Sequence, residues 1–156
     1  NRLVIDTSEA MNRMELCAEG NVIFAEAGVS LARLADFACR NGLTGLEFAH
    51  GIPGTVGGAV CMNAGAYDGE MKQVLLSATA LYEDGIRTLS AEELELSYRH
   101  SVFSHTDAIV LFARVGLVKG DEAQIRDKMR GGVPSWTDLA WDCAGVLLGV
   151  ILILIR

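Results

Sequence analysis

A glycine-rich segment, Gly51 to Tyr67, carries the residues best suited to chemistry. It reads GIPGTVGGAVCMNAGAY and contains five glycines, one proline and no charged side chain. Glycine is entropically costly to order, so such a cluster marks a backbone that turns sharply or approaches another group closely. From Pro53 to Gly58 the backbone N–H groups have little side-chain shielding, and such groups hold pyrophosphates at helix N-termini and backbone nests. Asn63 adds a side-chain amide, and Tyr67 adds a flat ring with a hydroxyl.

This set of groups suits a dinucleotide cofactor such as FAD. The segment has no terminal Gly-Lys-Ser/Thr, so it is not a P-loop, and it does not meet the Gly-x-Gly-x-x-Gly fingerprint of Rossmann domains. A purely structural interpretation stays open with equal weight, in which the glycines serve a tight turn and close packing.

A second short motif, YRHS, spans Tyr98 to Ser101. Taken by itself, Arg99 is interpreted as one partner of a surface salt bridge with a nearby glutamate. His100 and His105 titrate near neutrality and are weak acid–base candidates. His50 directly precedes the glycine-rich segment and is expected to pack or hydrogen-bond near it.

Composition excludes several classes of function. The net charge of −7 and the pI near 4.9 argue against a nucleic-acid partner, which would require a basic face. Four cysteines, with no Cys-x-x-Cys pair, indicate buried free thiols of a reducing cytoplasm and no metal site. The opening NRLVIDTSEA has neither an apolar run nor an initiator Met, which predicts a cytoplasmic chain that begins mid-protein.

Turn residues and hydrophobic periodicity predict an α+β fold of interleaved short strands and helices. The predicted strands are MELCAEG, NVIFAEAG, VLLSATALYEDGIRTLS with a hairpin at EDG, and AIVLFARVGLV. The predicted helices are SLARLADFACRNG, capped by Ser30 and ended by Gly42; SAEELEL, opened by a Ser90–Glu93 capping box; and GDEAQIRDKM, from near Asp121.

We predict a domain over residues 1–130 and a hydrophobic tail over 131–156. Ala144 to Ile155 carries no charge but covers only about 18 Å as a helix, short of a membrane core of about 30 Å. Extending the span over 139–156 buries Asp142, which is expensive. Three interpretations stay open: a buried or loose hydrophobic end, a membrane tail, and a segment foreign to the domain.

Three stretches together resemble one family, the UDP-N-acetylenolpyruvoylglucosamine reductases (UDP-N-acetylmuramate dehydrogenases). They are GLTGLEFAHGIPGTVGGAVCMNAGAYDGEM, LSAEELELSYRHSVF and IVLFARVGLVKGD, in that family's order and spacing. The resemblance covers roughly Asn21 to Met129, about two thirds of the chain. It implies an incomplete FAD-binding α+β domain of the vanillyl-alcohol-oxidase/PCMH type, with a mostly antiparallel sheet and flanking helices.

The resemblance also implies an activity and its residues. NADPH reduces FAD, and the enolpyruvyl group of a UDP-sugar substrate is reduced in peptidoglycan precursor synthesis. Arg99 matches the catalytic arginine, whose planar fork stabilises charge on the substrate carboxylate. Tyr98 is expected to border the substrate. The residues implied in FAD binding are Pro53, Gly54, Thr55, Gly57, Gly58, Asn63, Gly65, Ala66 and Tyr67, with Ile109 and Val110 as weaker backbone candidates.

The chain departs from this family at both ends. The family's other glycine-rich loop, reading like GxGSN, would lie before Asn1, and its C-terminal domain with the proton-donor serine has no match after Met129. Ser135 is no replacement, because its surroundings differ. We therefore expect the isolated chain to bind FAD weakly or not at all and to turn over negligibly. Alternatives are a degenerate or membrane-tethered flavin-binding module and another flavin oxidase of the same superfold; the oligomeric state stays open.

Overall fold

The computed structural model describes residues 3–131 and 151–153. Over those ranges the helices are α1 (Leu31–Arg40), α2 (Val56–Met62) and α3 (Glu122–Gly131), with 3-10 helices at Glu47–Ala49, Met71–Gln73 and Val102–His105. The strands over the same ranges are β1 (Leu3–Ile5), β2 (Met14–Leu16), β3 (Val22–Glu26), β4 (Leu43–Thr44), β5 (Gly65–Ala66), β6 (Gly69–Glu70), β7 (Leu75–Tyr82), β8 (Gly85–Ser90), β9 (Ile109–Gly116), β10 (Val118–Lys119) and β11 (Ile151–Ile153).

A five-stranded antiparallel sheet in the order β2-β3-β9-β7-β8 forms the framework. The predicted strands are confirmed, and the predicted hairpin joins β7 to β8 through Glu83 and Asp84, with Gly85 at φ +134°. AIVLFARVGLV becomes the central strand β9, and its apolar run is explained by burial, because every residue from Ile109 to Gly116 is buried or half-buried. The α+β class with a mostly antiparallel sheet is confirmed.

Helix α1 begins and ends where the sequence predicts. The Ser30 hydroxyl accepts a hydrogen bond from the Arg33 N–H, and Gly42, just past the end, adopts a left-handed φ of +63°. Leu31, Leu34, Ala35 and Ala38 are buried on one face. Helix α2 buries Val56, Ala59 and Val60 and contacts β3 and β9, so the glycine-rich segment enters the core.

The predicted helix in SAEELEL is wrong, although its capping box forms. The Ser90 N–H donates to the Glu93 carboxylate at 2.8 Å, and the Glu93 N–H donates to the Ser90 hydroxyl at 3.4 Å. The segment then turns without becoming an α-helix, because Glu95 adopts a left-handed φ of +50°. This places Leu94 and Leu96, two residues apart, both in the core.

Strand β11 lies within the predicted hydrophobic tail and pairs antiparallel with β1, Leu3 opposite Ile153. The rest of the tail, with Ser135, Asp142 and Cys143, lies outside the described residues, as do 154–156. Among the residues that are described, no helix has the length and apolar character needed to cross a membrane.

Stability below pH 4.5 is expected to depend on Glu47. Burial raises the pKa of this carboxyl, but hydrogen bonds from Thr44, its own backbone and Gly45, and the charge of Lys128, outweigh that effect and lower it below the ordinary 4.5. A folded-state pKa below the unfolded value gives stability that is present above pH 4.5 and lost as pH falls through the folded pKa. Between pH 5 and pH 3, the thermal midpoint of Glu47→Gln should fall less steeply with pH than that of the parent chain.

The matched control is Glu83→Gln, which changes an exposed carboxylate in the β7–β8 turn. This variant should keep the parent's acid dependence. Equal slopes for Glu47→Gln and the parent chain would contradict the assignment to Glu47.

Candidate functional site

A pocket of about 420 Å³ lies at the C-terminal end of α2. It brings together residues that are far apart in the chain: the segment from Asn63 to Gln73 and the turn with Tyr98 and Arg99. Six of the sequence-predicted site residues line it, namely Asn63, Gly65, Ala66, Tyr67, Tyr98 and Arg99. The two motifs that sequence analysis treated separately therefore form one cavity.

One wall of the pocket is the short hairpin β5–β6, whose two-residue loop is Tyr67 and Asp68. Both loop residues have left-handed φ angles, +51° and +62°, the pattern of a tight two-residue hairpin. A Cβ built on Gly65 would lie 2.5 Å from the Gly69 carbonyl oxygen, so this wall is bare backbone by steric necessity. The hairpin exposes 46% of Tyr67 beside the cavity.

The opposite wall is a tight turn closed by two hydrogen bonds. The Ser97 N–H donates to the His100 carbonyl and the His100 N–H donates to the Ser97 carbonyl, both at 3.1 Å. Tyr98 and Arg99 form the turn, Tyr98 is 84% exposed, and the Arg99 guanidinium carbon lies 5.6 Å from the centre of the Tyr98 ring. The turn thus presents an aromatic ring and a guanidinium at the mouth of the pocket.

Backbone strain converges on this cavity. In the described part of the chain the non-glycine residues with positive φ are Asn63, Tyr67, Asp68, Glu95 and Arg99. All of them except Glu95 line the pocket. Asn63 and Asp68 are residue types that tolerate this region, whereas it costs a bulky side chain such as that of Tyr67 or Arg99 about 1–2 kcal/mol. The strain at Arg99 therefore adds to the case for its turn as part of a functional site.

Two buried polar side chains tie the Arg99 turn to the end of α2. The Asn63 amide donates to the Ser97 carbonyl at 3.0 Å, just before the turn. The Ser101 hydroxyl, fully buried, donates to the Cys61 carbonyl at 2.7 Å, just after it. The turn is therefore held on both sides by the same short stretch of α2.

At the start of α2 the glycine-rich segment packs against the rest of the chain, whereas the sequence predicted unshielded N–H groups there. The N–H groups of Val56 and Gly57 donate to the carbonyls of Val29 and Ala27, and the Gly58 N–H contacts the Thr55 hydroxyl that caps the helix. A Cβ on Gly57 would lie 3.0 Å from the Ala27 Cβ, so Gly57 serves close packing. The predicted unshielded donors at 56 and 57 are thus occupied within the chain, while Pro53 stays exposed and Gly54 half-buried.

The remaining candidates lie away from the pocket lining. Ile109 and Val110 open the central strand, with Val110 buried in the core. The rings of His100 and His105 lie 5.3 Å apart beyond the Arg99 turn, and His50 is exposed. Within the described ranges, no group of three or more His, Cys, Asp or Glu side chains is arranged to hold a metal.

Thiolate chemistry beside the pocket is excluded. Burial raises the pKa of the Cys61 thiol to about 11, so this group stays protonated and non-nucleophilic at neutral pH.

Sequence reasoning missed the other lining residues, Asp68, Gly69, Glu70 and Gln73. The sequence did contain a signal for the β5–β6 hairpin, because Asp68–Gly69 repeats the Asp–Gly pattern used to predict the β7–β8 hairpin. The flanking strands are only two residues long, too short for an alternating pattern to reveal them.

Comparisons with known proteins show which families this chain is similar to. Residues 1–90 match the profile of a family described as FAD binding domain. The UDP-N-acetylenolpyruvoylglucosamine reductase of Clostridium novyi is 54% identical over 113 residues, and that of Latilactobacillus sakei is 48% identical over 121. These alignments cover 72% and 77% of this chain but only 37% and 39% of the relatives, so the chain spans well under half of their length.

Two solved structures are also similar to this chain. The UDP-N-acetylenolpyruvylglucosamine reductase of Thermus caldophilus superposes with a TM-score of 0.65 at 36% identity, covering 72% of this chain and 44% of that one. A solvent-stable cholesterol oxidase superposes with a TM-score of 0.54 at 18% identity over 74% of this chain and 25% of its own, a likeness of fold alone.

Proposed function

Since the chain belongs to the FAD-binding domain family and, over that domain, to the UDP-N-acetylenolpyruvoylglucosamine reductases, we propose that it contributes to FAD-dependent reduction of UDP-N-acetylenolpyruvoylglucosamine. The product is UDP-N-acetylmuramate, NADPH is the reductant, and the reaction serves peptidoglycan precursor synthesis. The observation that carries the proposal is the single cavity shared by the glycine-rich segment and Arg99.

The residues present fit part of a dinucleotide cofactor. Gly65 and Gly69 let the hairpin pack tightly, because an added Cβ would meet the Gly69 carbonyl oxygen at 2.5 Å and the Phe48 side chain at 2.7 Å. Beside the pocket, Tyr67 offers a partly exposed aromatic face on which a flat ring system can stack. Asn63 supports this region from within the chain, because both donors of its amide are bonded to Glu70 and Ser97. Pro53, Gly54 and Thr55 remain the candidates for contact with the phosphate end of FAD. The other candidates would support that contact region by packing, namely Gly57, Gly58, Ile109 and Val110.

Arg99 supplies the charge stabilisation that the reaction needs. FAD, when bound, supplies the hydride that reduction of a carbon–carbon double bond requires. Addition of hydride to a double bond conjugated with a carboxylate moves negative charge onto that carboxylate. The Arg99 guanidinium offers two parallel N–H donors to it, and the turn holds the Arg99 backbone at the pocket lining. Tyr98, at the mouth of the pocket, borders the UDP-sugar.

Titration of FAD into the chain, followed by flavin fluorescence, tests the cofactor half of the proposal. We expect weak but saturable binding. Tyr67→Asn should weaken it by about tenfold, because one aromatic contact to a nucleotide ring is worth about 1–3 kcal/mol. The same variant should unfold no more easily than the parent chain, because asparagine accepts the left-handed φ of +51° more readily than tyrosine does.

Ile86→Asn is the matched control, since Ile86 is 65% exposed on β8 outside the pocket. It should leave FAD affinity unchanged. Equal FAD affinity of the parent chain and Tyr67→Asn would count against the assignment of Tyr67 to FAD.

A further inference from the structure

We propose that Asn63 is a positioning residue whose buried amide fixes the turn that carries Arg99. The inference rests on the proposed role of Arg99 and adds to it the group that holds the guanidinium in place. Asn63 is only 2% exposed, so it acts through its neighbours rather than on a ligand.

The Asn63 side chain makes three hydrogen bonds, which use both of its donors and its amide oxygen and reach three different elements. Its Nδ2 donates to the Glu70 carboxylate at 2.9 Å and to the Ser97 carbonyl at 3.0 Å. Its Oδ1 accepts from the Lys72 N–H at 2.8 Å. One amide thus connects the end of α2, the β5–β6 hairpin and the Arg99 turn, which are the parts that make the pocket.

Asparagine is the residue type that meets both demands of this position. The backbone at 63 caps α2 in the left-handed conformation, φ 43° and ψ 54°, which asparagine tolerates better than other side-chain-bearing residues. The side chain must also offer two donors and one acceptor at short reach, which aspartate and glycine do not. A buried donor or acceptor left without a partner is costly, so the three bonds act as one unit.

A pair of substitutions separates the two donor bonds. Asn63→Asp replaces both donors by a carboxylate that faces Glu70 and the Ser97 carbonyl, so both links are broken. Adding Glu70→Gln gives the position-70 side chain a donor and restores that link with reversed polarity. The link to Ser97 stays broken, because a carboxylate oxygen still faces a carbonyl oxygen. Glu70→Gln alone is the matched control.

Limited trypsin digestion of the full chain reads the state of the turn, because trypsin cuts after Arg99. Cleavage after Arg114, in the central strand β9, reports global unfolding in the same sample. In the double variant we expect a thermal midpoint several degrees below that of Glu70→Gln, because the lost bond weakens the native state against every opening that breaks it. We also expect cleavage after Arg99 to rise about tenfold over its rate in Glu70→Gln, as a lost buried hydrogen bond of about 1.4 kcal/mol implies. The Arg99 amide resonance in a 1H–15N spectrum should shift as well.

Three other outcomes are decisive. Equal cleavage after Arg99 in the double variant and in Glu70→Gln would overturn the positioning role. Gly20→Ala, which destabilises the chain away from the pocket, should raise cleavage after Arg114 but not after Arg99. An equal rise at both sites in Gly20→Ala would mean that Asn63 serves general stability only, which also overturns the positioning role. If Arg99 itself proves dispensable for turnover, the proposed function fails while the digestion result stands, so the two failures are distinguishable.

Discussion

Arg99→Lys is expected to lower kcat for the reduction of UDP-N-acetylenolpyruvoylglucosamine by about 10²–10³-fold, the usual cost of losing one preorganised charge-stabilising donor. Lysine keeps the positive charge but not the planar pair of N–H donors that match a carboxylate. The chain spans 37% of the Clostridium novyi relative, so the measurement uses a chimera in which this chain replaces the matching stretch of that reductase. The rate is followed by NADPH absorbance.

Two controls accompany the lysine variant. Arg87→Lys makes the same change at a residue of β8 outside the pocket, where the guanidinium lies over the Tyr82 ring of β7. It should leave the rate unchanged. Arg99→Gly should abolish the rate but shift the free energy of unfolding by less than about 1 kcal/mol, because glycine accepts the φ of +53° without strain. A chimera that keeps its rate with lysine at position 99 would refute the catalytic assignment.

Gly28→Ala is expected to be the most destabilising single methyl group that can be added to the described chain. A Cβ at this position would lie 2.1 Å from the Thr7 carbonyl oxygen and 2.5 Å from that of Met11. Both contacts are backbone atoms of one turn, closed by the Met11 N–H donating to the Thr7 carbonyl, so no side chain can rotate away. We expect the free energy of unfolding to fall by about 3 kcal/mol, measured by urea denaturation.

Gly20→Ala separates this steric effect from the general cost of replacing glycine. Gly20 has a left-handed φ of +74°, but nothing lies within 4 Å of its added Cβ. The expected loss there is about 1 kcal/mol, from backbone conformation alone. A loss at Gly28 no larger than that at Gly20 would show that the Thr7–Met11 turn moves aside freely.

Local chemistry explains what the sequence predicts well. The Ser30 cap, the apolar face of α1 and the Gly42 stop act within a few residues, so they are visible without the fold. The same holds for the β7–β8 hairpin and for β9, whose apolar run matches a strand in which every residue is buried or half-buried. The helix prediction for SAEELEL was wrong although its capping box is equally local. The burial of Leu94 and Leu96, which prevents the helix, depends on the rest of the core.

The pocket illustrates the opposite case. The sequence by itself determined which residue types are available for chemistry: the glycines, Tyr67, Tyr98 and Arg99, and through their motifs the family. It did not determine that Asn63 faces inward, that the donors of Val56 and Gly57 are occupied, or that four residues with left-handed backbone meet around one cavity. Those features depend on contacts between segments far apart in the chain, such as Asn63 with Ser97 and Ser101 with Cys61. Hydrogen bonds of that kind leave no periodic trace in a sequence, because their geometry exists only once the sheet has brought both partners together.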